Sequence, residues 1–266
     1  MSESVALREA AVAALRRLDA LGLNRGSSGN LSVRDGAGMW ITPTGMGADD
    51  TAPDDLVWLG LDGGVRGRCK PSSEWHFHRA IYAVRPDVGA VVHTHSVHAS
   101  ALACLERSLP AFHYMVAIAG GDSVPCVPYR LFGTPALSRL VAEALRERDA
   151  CLLAHHGLVA VGRTLAGAMK VALEIESLSE AYLKALAVAE PPLLSAAQMA
   201  EVIERFHHYG QPAAAGAAAL SAAHAPARSR AATPPARART PRRASGRAVR
   251  RGRARRPRPR SSAAAR

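Results

Sequence analysis

The chain has no apolar run approaching the ~18–20 residues that a membrane-spanning helix needs, so no membrane span is expected. Its first residues, Met1-Ser2-Glu3-Ser4, lack a basic stretch followed by an apolar one. That argues against a secretory leader and for a cytoplasmic protein. Cysteine is scarce: Cys69, Cys104, Cys126 and Cys151 stand far apart with no CxxC pair. They form neither a zinc ribbon nor a disulfide framework, and four reduced thiols are expected. Neither GxxxxGK[ST] nor GxGxxG occurs, which argues against a nucleoside triphosphate or a dinucleotide as ligand. No internal repeat is present.

Acidic residues and lysine are absent from Ala213 onward, where 15 arginines stand among Ala, Pro and Ser. The formal net charge of +12 less those 15 leaves −3 for residues 1–212. The basicity therefore belongs to the tail. Residues 213–266 hold too few large apolar side chains to offset their ordering entropy, so a disordered basic tail is expected. Such a segment offers nonspecific electrostatic contact with nucleic acid at most, since no aromatics are interleaved for base stacking. With 48% hydrophobic residues overall, residues 1–212 can bury one sizeable core.

Within residues 1–212, Leu7, Ala11, Leu15, Leu18 and Leu21 recur at helical spacing, with Gly22 placed to close the helix. Leu31–Arg34 and Met39–Thr42 read as strands joined by a turn at Asp35-Gly36. Val57–Leu61 reads as a third strand. Ser72 or Ser73 is positioned to cap a helix through His76 and Ile81 to Val84. Thr134 and Pro135 open another helix, and residues 164 to about 189 form the longest.

Gly89-Ala90-Val91-Val92 reads as a buried strand running into His93-Thr94-His95. Side chains alternate along a strand, so His93 and His95 share a face. His156 follows another apolar run, Cys151–Ala154. Three imidazoles and a carboxylate are the donor set of a catalytic zinc site; an isolated His-x-His is equally the polar end of a strand. Gly29-Asn30, Thr44-Gly45 and Ser72-Ser73 each join backbone N–H groups to a hydroxyl or amide. They are either ordinary turns and a helix cap, or the cradle of one small phosphate.

Five segments occur in order: Gly-Leu-Asn-Arg-Gly-Ser-Ser-Gly-Asn-Leu-Ser-Val-Arg (22–34), Ile-Thr-Pro-Thr-Gly-Met (41–46), Pro-Ser-Ser-Glu-Trp-His-Phe-His (71–78), Val-Val-His-Thr-His (91–95) and His-His-Gly-Leu (155–158). As a set, over about residues 4–212, they resemble the class II aldolase/adducin family, and within it the branch that cleaves L-fuculose 1-phosphate. The resemblance implies an α/β fold of α+β type, a central, mainly antiparallel sheet flanked by helices. It implies one Zn2+ per subunit, held by Glu74, His93, His95 and His156, with His155 facing elsewhere. It implies Glu74 and Tyr114 as catalytic groups, Tyr114 serving a neighbouring subunit of a homotetramer. Gly29, Asn30, Thr44, Gly45, Ser72 and Ser73 would bind the substrate phosphate. Phe132 and Tyr209 would line the aldehyde end. The implied reaction cleaves a ketose 1-phosphate to dihydroxyacetone phosphate and L-lactaldehyde. Glu74 stands where related 4-epimerases carry aspartate. 5-Deoxyribulose 1-phosphate remains an alternative substrate, a sugar-phosphate dehydratase an alternative reaction, and a non-enzymatic adducin-like module a third reading.

Overall fold

The strands Ala90–Thr94, Ala150–Leu153 and Gly157–Gly162 carry apolar residues at consecutive positions because both faces of their sheet are covered. The computed structural model describes residues 3–207. In chain order the elements are α1 (Glu3–Ala20), β1 (Asn30–Asp35), β2 (Gly38–Ile41), β3 (Val57–Gly60), β4 (Val65–Arg66), α2 (Trp75–Val84), β5 (Ala90–Thr94) and α3 (Val97–Cys104). There follow β6 (Cys126–Val127), α4 (Pro135–Ala144), β7 (Ala150–Leu153), β8 (Gly157–Gly162), α5 (Leu165–Leu186) and α6 (Ala196–His207). Short 3₁₀ turns cover Pro53–Asp55 and Tyr114–Ala119. Among the described residues no helix is long and apolar enough to cross a membrane.

The strands form one sheet in the order β4-β3-β2-β1-β5-β8-β7-β6. All pairs are antiparallel except β6 with β7, which is the mainly antiparallel sheet expected. Alternation along each strand divides the core. Val91, Cys151, Leu153, Val159 and Val161 pack with Phe77 and Ile81 of α2 and with Leu137 and Val141 of α4. Ala90, Val92, Leu152, Leu158 and Ala160 pack on the other face with Leu15 and Leu18 of α1, Leu102 of α3 and Ile175 of α5. Each fully buried Leu, Ile or Val contributes about 1.5–3 kcal/mol of transfer free energy.

Local signals account for the ends of the elements. Gly22, at φ 72°, closes α1 in the left-handed conformation, and Leu23 N–H returns to Leu18 O at 3.0 Å. Thr134 caps α4 by accepting Leu137 N–H at 3.3 Å, with Pro135 in the first turn. Ser195 and Gln198 cap α6 reciprocally: Ser195 Oγ accepts Gln198 N–H and Gln198 Oε1 accepts Ser195 N–H.

Two expectations are corrected. The β1–β2 turn is Gly36-Ala37, one residue later than expected, because Asp35 is still paired with Gly38. The residue at the N-terminus of α2 is Glu74, not a serine, and its side chain makes no cap bond. It is drawn instead toward Asn30 and His93. Tyr209 and the expected basic tail, residues 213–266, lie outside the described residues.

Candidate metal centre and active site

The β1–β5 ladder sets Asn30 directly opposite His93. His93 projects to the α2 face, where its ring meets Phe77 edge-on at 5.5 Å. One residue past the end of β5, His95 bends toward it, and the two Nε2 atoms lie 3.0 Å apart. The backbone N–H of His95 is held by Asn24 Oδ1 at 3.2 Å. That contact needs Gly29, whose φ is 73° and where a Cβ would fall 2.2 Å from Asn24 Oδ1. His156 enters from the β7–β8 turn, Ala154-His155-His156, with His155 at φ 56° turning the chain. Glu74 enters from the start of α2. Its Oε2 lies 3.2 Å from His93 Nε2, and its Oε1 lies 3.3 Å from His156 Nε2.

The three imidazoles meet pairwise at near right angles, with ring centroids 4.8–4.9 Å apart. One donor atom from each of Glu74, His93, His95 and His156 lies within 4.8 Å of the others, a group that could hold a metal ion. His93 Nδ1 bonds the Leu158 carbonyl at 2.9 Å. A carbonyl only accepts, so Nδ1 carries the proton and Nε2 faces the cluster as a bare lone pair. Lone pairs converging at 3.0–3.3 Å repel unless a cation sits among them. Three of the six donor–donor distances, His93–His95, Glu74–His93 and Glu74–His156, are thus close to the ~3.3 Å edge of a tetrahedron with ~2.0–2.1 Å metal–ligand bonds. Glu74 Oε1 also lacks a hydrogen-bond partner although buried. The donor set therefore fits a divalent ion such as zinc.

The charges agree. Burial would raise the Glu74 carboxyl, but His93, His156 and the Asn30 amide outweigh it and hold Glu74 below the usual carboxylate range. Burial, reinforced by His93, pushes His95 and His156 down to about 4, so both are neutral donors at pH 7. Burial pushes His93 down too, but Glu74 and the Leu158 carbonyl more than reverse that and raise it.

A cavity of about 380 Å³ opens above this group. Its lining brings together Gly29, Asn30, Thr44, Gly45, Ser72, Ser73, Glu74, His95, His156 and Phe132. His93 lies behind them, wholly buried. Tyr114 is not brought in. It is half-exposed on its 3₁₀ turn, beside Met115, Val202 and Arg205 in a separate surface cavity.

The same lining contains residues not named as site residues from sequence, among them Ser27, Ser28, Tyr129 and Arg130. His155, expected to face away from the metal ligands, is not one of the four grouped donors; it reaches the pocket wall and pairs with Glu106 at 3.0 Å. Its left-handed backbone turns the ring outward. Asn24 was also missed, although it lies in the Gly-Ser-rich loop that ends in Gly29-Asn30.

The Class II Aldolase and Adducin N-terminal domain matches residues 9–183. A 5-methylthioribulose-1-phosphate/5-deoxyribulose-1-phosphate aldolase of Rhodospirillum rubrum is 53% identical over 209 residues, covering 79% of this chain and 95% of that protein. An L-fuculose phosphate aldolase of Escherichia coli is 49% identical over 191 residues, covering 71% of this chain and 89% of that protein. Among solved structures, an L-fuculose 1-phosphate aldolase superposes with a TM-score of 0.74 at 35% identity, covering 78% of this chain and 98% of that one.

Proposed function

The chain belongs to the class II aldolase and adducin family, as an aldehyde-lyase of the metal-dependent class, and we propose that its substrate is a ketose 1-phosphate. The first reading is L-fuculose 1-phosphate, cleaved to dihydroxyacetone phosphate and L-lactaldehyde. A second, 5-deoxyribulose 1-phosphate, is favoured by the Rhodospirillum rubrum relative, whose likeness extends over 209 residues. One observation carries the common core of both. Three of the four metal-type donors, Glu74, His95 and His156, line a cavity with His93 buried behind them, and its wall offers the hydroxyls and backbone of Thr44, Gly45, Ser72 and Ser73.

In this reading Glu74, His93, His95 and His156 hold one Zn2+ per chain. When bound, the ion supplies Lewis acidity to stabilise negative charge on oxygen next to the reacting carbon. Gly29, Asn30, Thr44, Gly45, Ser72 and Ser73 receive the phosphate, and the Asn30 amide also orients Glu74. Glu74 handles the proton at C3: ionised at rest, it removes one in the condensation direction and returns one during cleavage. The C4 hydroxyl gives up its proton to a base as the C3–C4 bond breaks, so one proton leaves and one arrives. Tyr114 is that base, reaching the cavity of a neighbouring copy in a homotetramer. Its exposure, away from its own chain's cavity, supports this. Phe132, with Tyr209, lines the aldehyde end. Residues 1–212 form the catalytic domain of a cytoplasmic enzyme, and 213–266 a basic extension.

The test is a panel of ketose 1-phosphates, assayed for dihydroxyacetone phosphate with and without a chelator. Chelator-sensitive release from fuculose or deoxyribulose 1-phosphate is expected. No release from any member would overturn the reading.

A further inference from the structure

Behind the cavity, a line of polar side chains links helix α2 to strand β1. Glu74, His78 and Tyr82 are four residues apart, so they share one line along α2. Asn30 and Ser32 are two apart and share one face of β1. Four residues of helix rise about 6 Å and two of strand about 6.8 Å, so the two rows interleave. The successive links are Tyr82 Oη to Ser32 Oγ at 3.0 Å, Ser32 Oγ to His78 Nδ1 at 2.8 Å, His78 Nε2 to Asn30 Oδ1 at 2.6 Å, and Asn30 Nδ2 to Glu74 Oε2 at 3.0 Å. Every member is buried.

The line has only one consistent direction. An ionised carboxylate only accepts, so Asn30 must turn its NH2 to Glu74 and its oxygen to His78. That oxygen accepts, so His78 carries its proton on Nε2. Its Nδ1 is then bare and accepts from Ser32. Tyr82 completes the line by donating to Ser32, through Oγ or through the Ser32 carbonyl at 3.1 Å. Without the Nε2–H donor the Asn30 amide is free to turn over and set its oxygen against the Glu74 carboxylate.

We propose that His78, as the Nε2–H tautomer, is a positioning residue that fixes the Asn30 amide and through it the Glu74 carboxylate. Its contribution to turnover rests on the aldolase reading, with Glu74 moving the proton. The tautomer and its effect on the metal group do not. His78 touches neither substrate nor the metal group, so its effect belongs in kcat and metal affinity and not in substrate binding.

Nitrogen-15 NMR of the metal-free full chain, with His78 identified by its loss in a substituted protein, reads the tautomer. Nε2 protonated and Nδ1 bare is expected; the reverse overturns the proposal. In kinetics, His78→Met is expected to lower kcat by ~10–100-fold and to weaken zinc binding by a similar factor, with KM within about twofold. His78→Gln, which keeps a donor for Asn30 and an acceptor for Ser32, is expected to recover most of both. Unchanged kcat and zinc affinity in a folded His78→Met protein, or His78→Gln as impaired as His78→Met, would overturn it. If the wild type cleaves no ketose 1-phosphate, yet shows the Nε2–H tautomer and loses zinc affinity in His78→Met, the positioning stands and the aldolase reading falls.

Discussion

The Nδ1–H of His93 donates to the Leu158 carbonyl 2.9 Å away, across the ladder that joins β5 to β8. A backbone acceptor thus sets the orientation of a ring at the centre of the site. Asn30 faces the same histidine from β1, on β5's other side. The group around His93 is therefore built into the sheet, and its geometry follows from strand register.

Glu74→Gln keeps the shape of the side chain and removes its charge. Turnover of a cleaved ketose 1-phosphate is expected to fall by ~10²–10⁴-fold, with the melting transition retained. Steady-state kinetics beside a thermal melt check this, and an undiminished rate would refute the role of Glu74.

Ser73 is exposed on the cavity wall while its neighbour Ser72 is buried, with Oγ accepting Glu74 N–H at 3.3 Å. On the proposed reading, Ser73→Ala therefore removes one of the proposed phosphate donors without disturbing Glu74. One hydrogen bond to a charged group is worth about 1.5–3 kcal/mol, so KM is expected to rise ~10–100-fold with kcat within a few fold. Equal KM in the two proteins would place the phosphate elsewhere.

Gly157 begins β8, next to His156, and a Cβ there would lie 2.3 Å from the Thr94 carbonyl. The neighbour is backbone, so β5 and β8 must separate. Gly157→Ala is expected to cost about 1–3 kcal/mol, the usual range for overpacking, and to reduce metal affinity by moving His156 from His95. Urea unfolding and zinc titration report the two effects.

Burial, reinforced by His93, pushes His78 down to about 3. The unfolded chain takes up a proton on this ring below about pH 6.5, whereas the folded chain does not until near 3. Stability from this group is therefore full above 6.5 and falls as pH drops toward 3. His93, raised in the metal-free protein, acts in the opposite sense, so the comparison is with His78→Gln. Between pH 7 and pH 5 the metal-free wild type should lose about 2 kcal/mol more than the variant. Parallel urea curves at the two pH values would contradict this.

The sequence disclosed the site in proportion to how locally its parts are coded. His93 and His95 are two apart on a strand, and the spacing alone puts them together. Glu74 and His156 come from other elements, and no period in the sequence joins them to that strand. The ordered segments named them through resemblance. The His78 line was not read from the sequence, because the i, i+4 spacing of Glu74 and His78 gains meaning only from β1 lying beside α2. The capping serines were misassigned because a local preference for Ser at a helix start yields to the pull of Asn30 and His93 on Glu74. The 3₁₀ turn at Tyr114–Ala119 carries little period to read. His155 was set apart from its neighbour His156 only by resemblance; its left-handed backbone, at φ 56°, has no signal in the sequence.

The most direct measurement is the metal content of the purified full chain, compared with His93→Ala and with chelator-treated protein, each assayed for dihydroxyacetone phosphate release. One zinc per chain is predicted, lost in the variant, with release lost on chelation and restored by added zinc. Full release from chain stripped of metal would contradict the account at its centre.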